Sequence, residues 1–249
     1  MNRRYGSRPQ GRRGQGRRNT VPADTTLPDG LVMHFDASDG LTTVGTDVTG
    51  WTDLAGSNDL NVIGDAPQLV AAGVGGNDYV AFDGVDDSCS RATFTGLPTG
   101  NTARTLATVI RYHGGGVGGV AYGDFANRQA YGCCVSGGGN FLLQVWGPDD
   151  FSSLVNADNI WAIHMCTWDG SVNNQQVNRT GVPGFFDGDD TPSAAMATDA
   201  AGAIEIGREI DGTPFVQIDV AEVMLWGSAL NQAKRNQVRN YVAARYGIL

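Results

Sequence analysis

Along most of the chain, apolar residues come in short runs, several alternating with polar ones, broken by Gly, Asp, Asn and Pro. Alternation with period two puts successive side chains on opposite faces of a strand. On this pattern Leu31–Phe35, Tyr79–Phe82, Thr105–Tyr112, Phe141–Trp146, Trp161–Trp168, Ala203–Ile206 and Phe215–Trp226 are predicted strands. Turn chemistry separates them: Asp36–Gly40, the polar loop Gly56–Asp59 that follows Trp51, Asp83–Asp87, and a glycine loop at Gly114–Gly119. The spacing is short and irregular and shows no repeat, which is the pattern of an antiparallel sandwich. One segment departs from it. Over Asn231–Tyr246, the residues Ala233, Val238, Tyr241, Val242 and Tyr246 fall three to five apart save for the adjacent pair Tyr241 and Val242, on one helical stripe, and Gly247 follows as a C-cap. A short helix beside the sheet is predicted.

Composition sharpens this. The chain has 249 residues, of which 41% are apolar and 36 are glycine, enough for one large all-β core joined by tight turns. Residues 1–29 are rich in Arg, Gly, Gln and Pro and cannot bury enough apolar surface to offset ordering, so an extended arm is expected before a body at 30–249. The arm carries Arg3, Arg4, Arg8, Arg12, Arg13, Arg17 and Arg18 and no acid within its first twenty residues. Its charge is about +7, against −16 for the remainder and −9 overall. That split points to an acidic partner for the arm and a solvent-facing body. No segment is long enough to span a membrane. The arginine pairs have no apolar stretch behind them, so no signal peptide is expected.

Four segments carry a resemblance: LVMHFDASDG at Leu31–Gly40, VAFDGVDD at Val80–Asp87, ARTLATVIRY at Ala103–Tyr112, and the ending from Val220 to Leu249. In order and spacing they resemble LamG-like domains of the concanavalin A-like lectin/glucanase superfamily. The resemblance covers about residues 30–249 and implies a two-sheet antiparallel jelly roll. It implies no single function, because such sandwiches host lectins, hydrolases and structural modules.

Retaining glucanases of that superfamily carry an E-x-D-x-x-E strand whose outer carboxylates act as nucleophile and acid. Here Glu209-Ile-Asp211-Gly-Thr-Pro214 places Pro214 at the second Glu, and Asp211-Gly212 reads as a hairpin turn. The chain is therefore expected not to be an enzyme. The Gly114–Gly119 run lacks the Lys-Ser/Thr of a phosphate loop, and the formal sequon at Asn178 carries little without export. Two acidic clusters, Asp83, Asp86, Asp87 and Asp187, Asp189, Asp190, are candidate calcium ligands, or simply turn builders. Trp146 and Trp168, at strand ends, are candidate sugar platforms, or core and rim aromatics. Cys89, Cys133, Cys134 and Cys166 lack zinc spacing, and His34, His113 and His164 are scattered. Buried free thiols are expected, with one disulfide as the alternative. Adjacent Cys133 and Cys134 should face opposite ways in a strand.

These features lead to a non-catalytic structural protein, docked by its arginine arm on a larger assembly such as a bacteriophage capsid or tail and displayed on the virion surface. Homo-oligomers are possible. The alternative is an extracellular, lectin-like module for cell-surface glycans. Nucleic acid is not expected as a partner, because the acidic body opposes it.

Overall fold

The computed structural model describes residues 25–147, 151–156, 159–182, 185–191 and 195–248. The seven arm arginines lie outside them. Seventeen strands and one α-helix are seen among the described residues. In chain order the strands are β1 (Leu31–Asp36), β2 (Leu41–Val44), β3 (Asp47–Trp51), β4 (Leu60–Ile63), β5 (Gln68–Val70), β6 (Tyr79–Asp83), β7 (Ser88–Arg91), β8 (Arg104–Gly115) and β9 (Gly118–Gly123). They continue as β10 (Ala130–Val135), β11 (Asn140–Gln144), β12 (Phe151–Asn156), β13 (Trp161–Trp168), β14 (Asn173–Arg179), β15 (Phe185–Asp190), β16 (Ala203–Arg208) and β17 (Val216–Trp226), followed by α1 (Gln232–Tyr246).

All named pairings are antiparallel, and they resolve into two layers. In the first, β1 and β6 share one edge of the long strand β17, followed by β8, β13, β14 and β15. In the second the order is β4, β7, β16, β9, β10, β11, β12. β2, β3 and β5 turn the corner between the layers, because β3 pairs with β4 and with β5, which pairs with β6. The chain is thus an antiparallel β-sandwich with a C-terminal helix, as the alternation predicts.

Inward side chains of both layers form the main core. Phe35, Phe82, Leu106, Ile110, Ile218 and Leu225 come from the first layer and Tyr122, Tyr131, Phe141, Ile204 and Ile206 from the second. Outward residues of the first layer, among them Val109, Met165, Met224 and Trp226, meet Val238, Val242 and Tyr246 of α1. Asn231 caps the helix by accepting from the Lys234 N–H at 3.1 Å, and Gly247 ends it in the left-handed region at φ 70°.

Three local expectations change. Gly114–Gly119 is not an open loop, since β8 runs to Gly115 and β9 starts at Gly118, so most of the glycines lie in strands. Near Gly119 an added Cβ would come within 2.6 Å of the Cys133 carbonyl oxygen, so the neighbouring strand leaves no room for a side chain. The strand predicted to Trp146 stops at Gln144, because Trp146 takes φ 61°. Asp187, Asp189 and Asp190 are not in a turn but on β15.

Candidate functional site

Strand alternation decides which predicted site residues can act. Trp168 points inward on β13, is 1% exposed, and donates its indole N–H to the Asn101 carbonyl at 3.3 Å. It is a core residue and cannot stack on a sugar. Trp146 faces out of the second layer, where it packs with Val117 and Ala203 against buried Ala121, Ala130, Cys134, Leu142 and Ile210. Its ring centroid lies 4.0 Å from that of Phe125, which is 44% exposed. A hydrogen bond from the Arg128 N–H to the Trp146 carbonyl, at 2.8 Å, helps hold the backbone in its left-handed conformation. The outcome is a fixed aromatic ledge at the rim of the second layer. Sequence reading found Trp146 and missed Phe125, whose surroundings carry no alternation.

A second candidate is a cavity of about 390 Å³ in the first layer, where β5, β6, β8 and β17 meet, lined by Asp83, Asp87, His113, Gln217 and Asp219 among others. The carboxyl groups of Asp83 and Asp87 share a hydrogen bond. Burial pushes Asp87 up to about 7, reinforced by the bond to Asp83, and that same bond holds Asp83 below the usual carboxylate range. One is therefore an acid near neutral pH while its neighbour is ionised, the division of labour that general acid–base chemistry uses. Across the cavity Asp219 accepts from Arg111 Nε at 2.7 Å and meets His113 Nε2 at 2.7 Å, while His113 Nδ1 meets Asn159 at 2.6 Å. Arg111 also lies over the rings of Tyr79 and Trp161, at 5.5 and 5.1 Å.

Of the two acidic clusters, Asp83, Asp86 and Asp87 do come together, with one carboxylate oxygen from each within 4.8 Å of the others. They could hold a cation at the cost of the shared proton. Asp187, Asp189 and Asp190 do not form such a group. Period-two alternation sends Asp190 to the opposite face, and the Asn174 amide donates to both Asp187 and Asp189, at 2.8 and 2.7 Å.

The E-x-D segment folds as the turn its Asp-Gly suggests. Glu209 N–H bonds to Pro214 O and Gly212 N–H to Glu209 O, each at 2.9 Å. The Glu209 side chain is 2% exposed and accepts from Gln144 at 2.5 Å. All four cysteines are buried and unbridged, with Cys133 facing the main core and Cys134 the outer cluster. Burial opposes ionisation of Cys133, yet hydrogen bonding from Cys166 and the nearby His164 bring it down to about 6. No helix among the described residues is long and apolar enough to cross a membrane.

No family profile matches the chain, and no curated protein matches it in sequence. Solved structures do. A GH54 α-L-arabinofuranosidase matches with TM-score 0.64 at 14% identity, over 91% of this chain and 61% of that one. Domain 4 of a GH43 extracellular arabinanase from Geobacillus stearothermophilus, in complex with arabinotriose, matches with TM-score 0.60 at 13% identity, over 85% and 98%. A Trypanosoma rangeli sialidase matches with TM-score 0.57 at 13% identity, over 87% and 33%. The chain thus spans about three-fifths of the arabinofuranosidase and one third of the sialidase. These likenesses show a shared β-sandwich fold, one compatible with carbohydrate binding, and none of them bears on the decoration of a virion. They also correct the expectation that the chain is not an enzyme. That expectation rested on one missing strand motif, and a fold shared with glycosidases removes the ground for excluding hydrolysis.

Proposed function

We propose that this chain is a saccharide-binding β-sandwich of the LamG-like kind, and that the Trp146–Phe125 ledge is where the sugar stacks. The observation that carries this reading is an aromatic pair, half-buried Trp146 and exposed Phe125, 4.0 Å between ring centroids, fixed by a backbone hydrogen bond at the rim of an outer sheet face. Aromatic faces pack against the C–H faces of sugar rings and lose little conformational entropy on binding, because they are already held. The likeness to a domain solved with arabinotriose supports the same class of ligand and makes arabino-oligosaccharides the first ones to try.

The test is titration calorimetry of the full chain with arabinotriose, longer arabino-oligosaccharides and sialyllactose, with parallel samples assayed for released sugar. Binding to at least one of these is expected, weakened about tenfold by Trp146→Ala, which corresponds to ~1.4 kcal/mol. Binding that survives Trp146→Ala and Phe125→Ala together would move the site elsewhere. Sugar release abolished by Asp87→Asn would instead assign the acidic cavity as a catalytic centre.

A further inference from the structure

We propose that Cys133, His164 and Cys166, completed by the side-chain oxygen of Gln175, form a site for one zinc ion between the two sheets. The three residues come from facing layers, Cys133 from β10 and His164 and Cys166 from β13, and all point into the core with 0–1% exposure. Their ligand atoms all lie within 4.8 Å of one another, and Cys166 Sγ sits 3.3 Å from His164 Nε2. With zinc–sulfur bonds of about 2.3 Å and zinc–nitrogen bonds of about 2.0 Å, tetrahedral ligand atoms stand roughly 3.3–3.8 Å apart, so little movement is needed.

The fourth donor is at hand. Gln175 on β14 has its amide nitrogen 2.8 Å from His164 Nε2, and its oxygen is buried without a hydrogen-bond partner. Turning the amide over presents that oxygen to the same point. Two thiolates and an imidazole are the donor set of a thiolate-seeking ion rather than of calcium. The charges also balance. Zinc displaces one proton from each thiol to solvent, and the two thiolates cancel its charge, so no net charge is left in the apolar core. Cys89, equally buried, has its thiol pushed up to about 12 by burial and by the carboxylates of Asp87 and Glu205, and it belongs to no such group. It is the natural control.

A site closed on all sides must load while the chain folds. The experiment is therefore to unfold the full chain under reductant and refold it with Zn²⁺ or Co²⁺. After removal of free metal, metal content, visible absorption and intact mass are measured. One metal per chain is expected, and the cobalt form should show the intense bands of tetrahedral thiolate coordination. Cys133→Ser and Cys166→Ser should each abolish the thiolate bands, and Cys89→Ser should leave them unchanged. Should the serine variants fail to fold, the wild-type cobalt spectrum and metal content still decide. A chain that refolds metal-free in excess zinc, or whose mass falls by two thiol hydrogens because Cys133 and Cys166 have paired as a disulfide, overturns the proposal.

Discussion

Asp87 shows how much one residue's surroundings can change its chemistry. An acid with a raised folded pKa holds its proton more tightly in the folded chain than in the unfolded one. Between the ordinary 3.8 and about 7 the folded chain keeps the proton that the unfolded chain has lost, so stability falls as pH rises through that window. Asp83, held low, acts in the opposite sense, but only in the acid range below the usual carboxylate value. Asp87→Asn keeps a donor toward Asp83 and removes the titration. The wild type is expected to lose about 1–3 kcal/mol relative to this variant between pH 4 and pH 7, read by urea unfolding at each pH. Parallel curves would mean that the pair shares no proton. Arg104 is the opposite case, a cation fully buried among neutral groups. It donates to the carbonyls of Pro98, Gly100 and Thr102 and to the hydroxyls of Tyr122 and Thr198, at 2.6–3.2 Å. Arg104→Met would strand those carbonyls, and a loss of about 3 kcal/mol in the same measurement is expected.

At the scale of elements, α1 is held on the sheet by more than its apolar stripe. Glu222, wholly buried on β17, meets His34 Nε2 at 2.7 Å and accepts from the Tyr241 and Tyr246 hydroxyls at 2.9 Å. Arg245 closes the network onto Asp36 at 2.7 Å. Glu222→Ala would leave His34 and the two tyrosine hydroxyls without their buried acceptor, while Arg245 keeps Asp36. A loss of about 3–5 kcal/mol is expected, with α1 amides exchanging faster than those of β8. Uniform exchange across both elements would show that the helix does not depend on this anchor. The helix, its C-cap at Gly247 and the strongly apolar strands were legible because periodicity and burial agree there. β14 was not, because Asn173-Asn-Gln-Gln-Val-Asn-Arg179 carries no apolar alternation yet is buried along nearly its whole length by pairing with β13 and β15. The buried cysteine–histidine group was equally hidden. Cys133 lies thirty-odd residues from His164 and Cys166 and on the other layer, and only the facing of the two layers brings them together.

At the scale of the whole molecule, the likeness to glycosidase domains concerns the sandwich and says nothing of the arginine-rich residues ahead of it. Charge says more. About +7 sits within twenty residues of a body near −16, and the Debye length is about 10 Å at 0.1 M salt. Were residues 1–20 to stand off the body by more than that length, a charged surface meeting them would feel their charge far more than that of the body. The full chain should therefore bind a sulfated or phosphorylated matrix at low salt despite its overall charge of −9, and elute as salt rises. Deleting residues 1–20 should abolish that retention, and so should replacing the seven arginines with Gln. Neither change should alter the thermal midpoint of the sandwich or its affinity for oligosaccharide, since the ledge at Trp146 and Phe125 is built entirely from the body. Equal retention with and without the arm would place any anion-binding surface on the sandwich itself, where Arg111 and Arg208 are already paired with Asp219 and Glu205. Lower sugar affinity after truncation would instead mean that the arm reaches the ledge, and binding and tethering would then be one function rather than two.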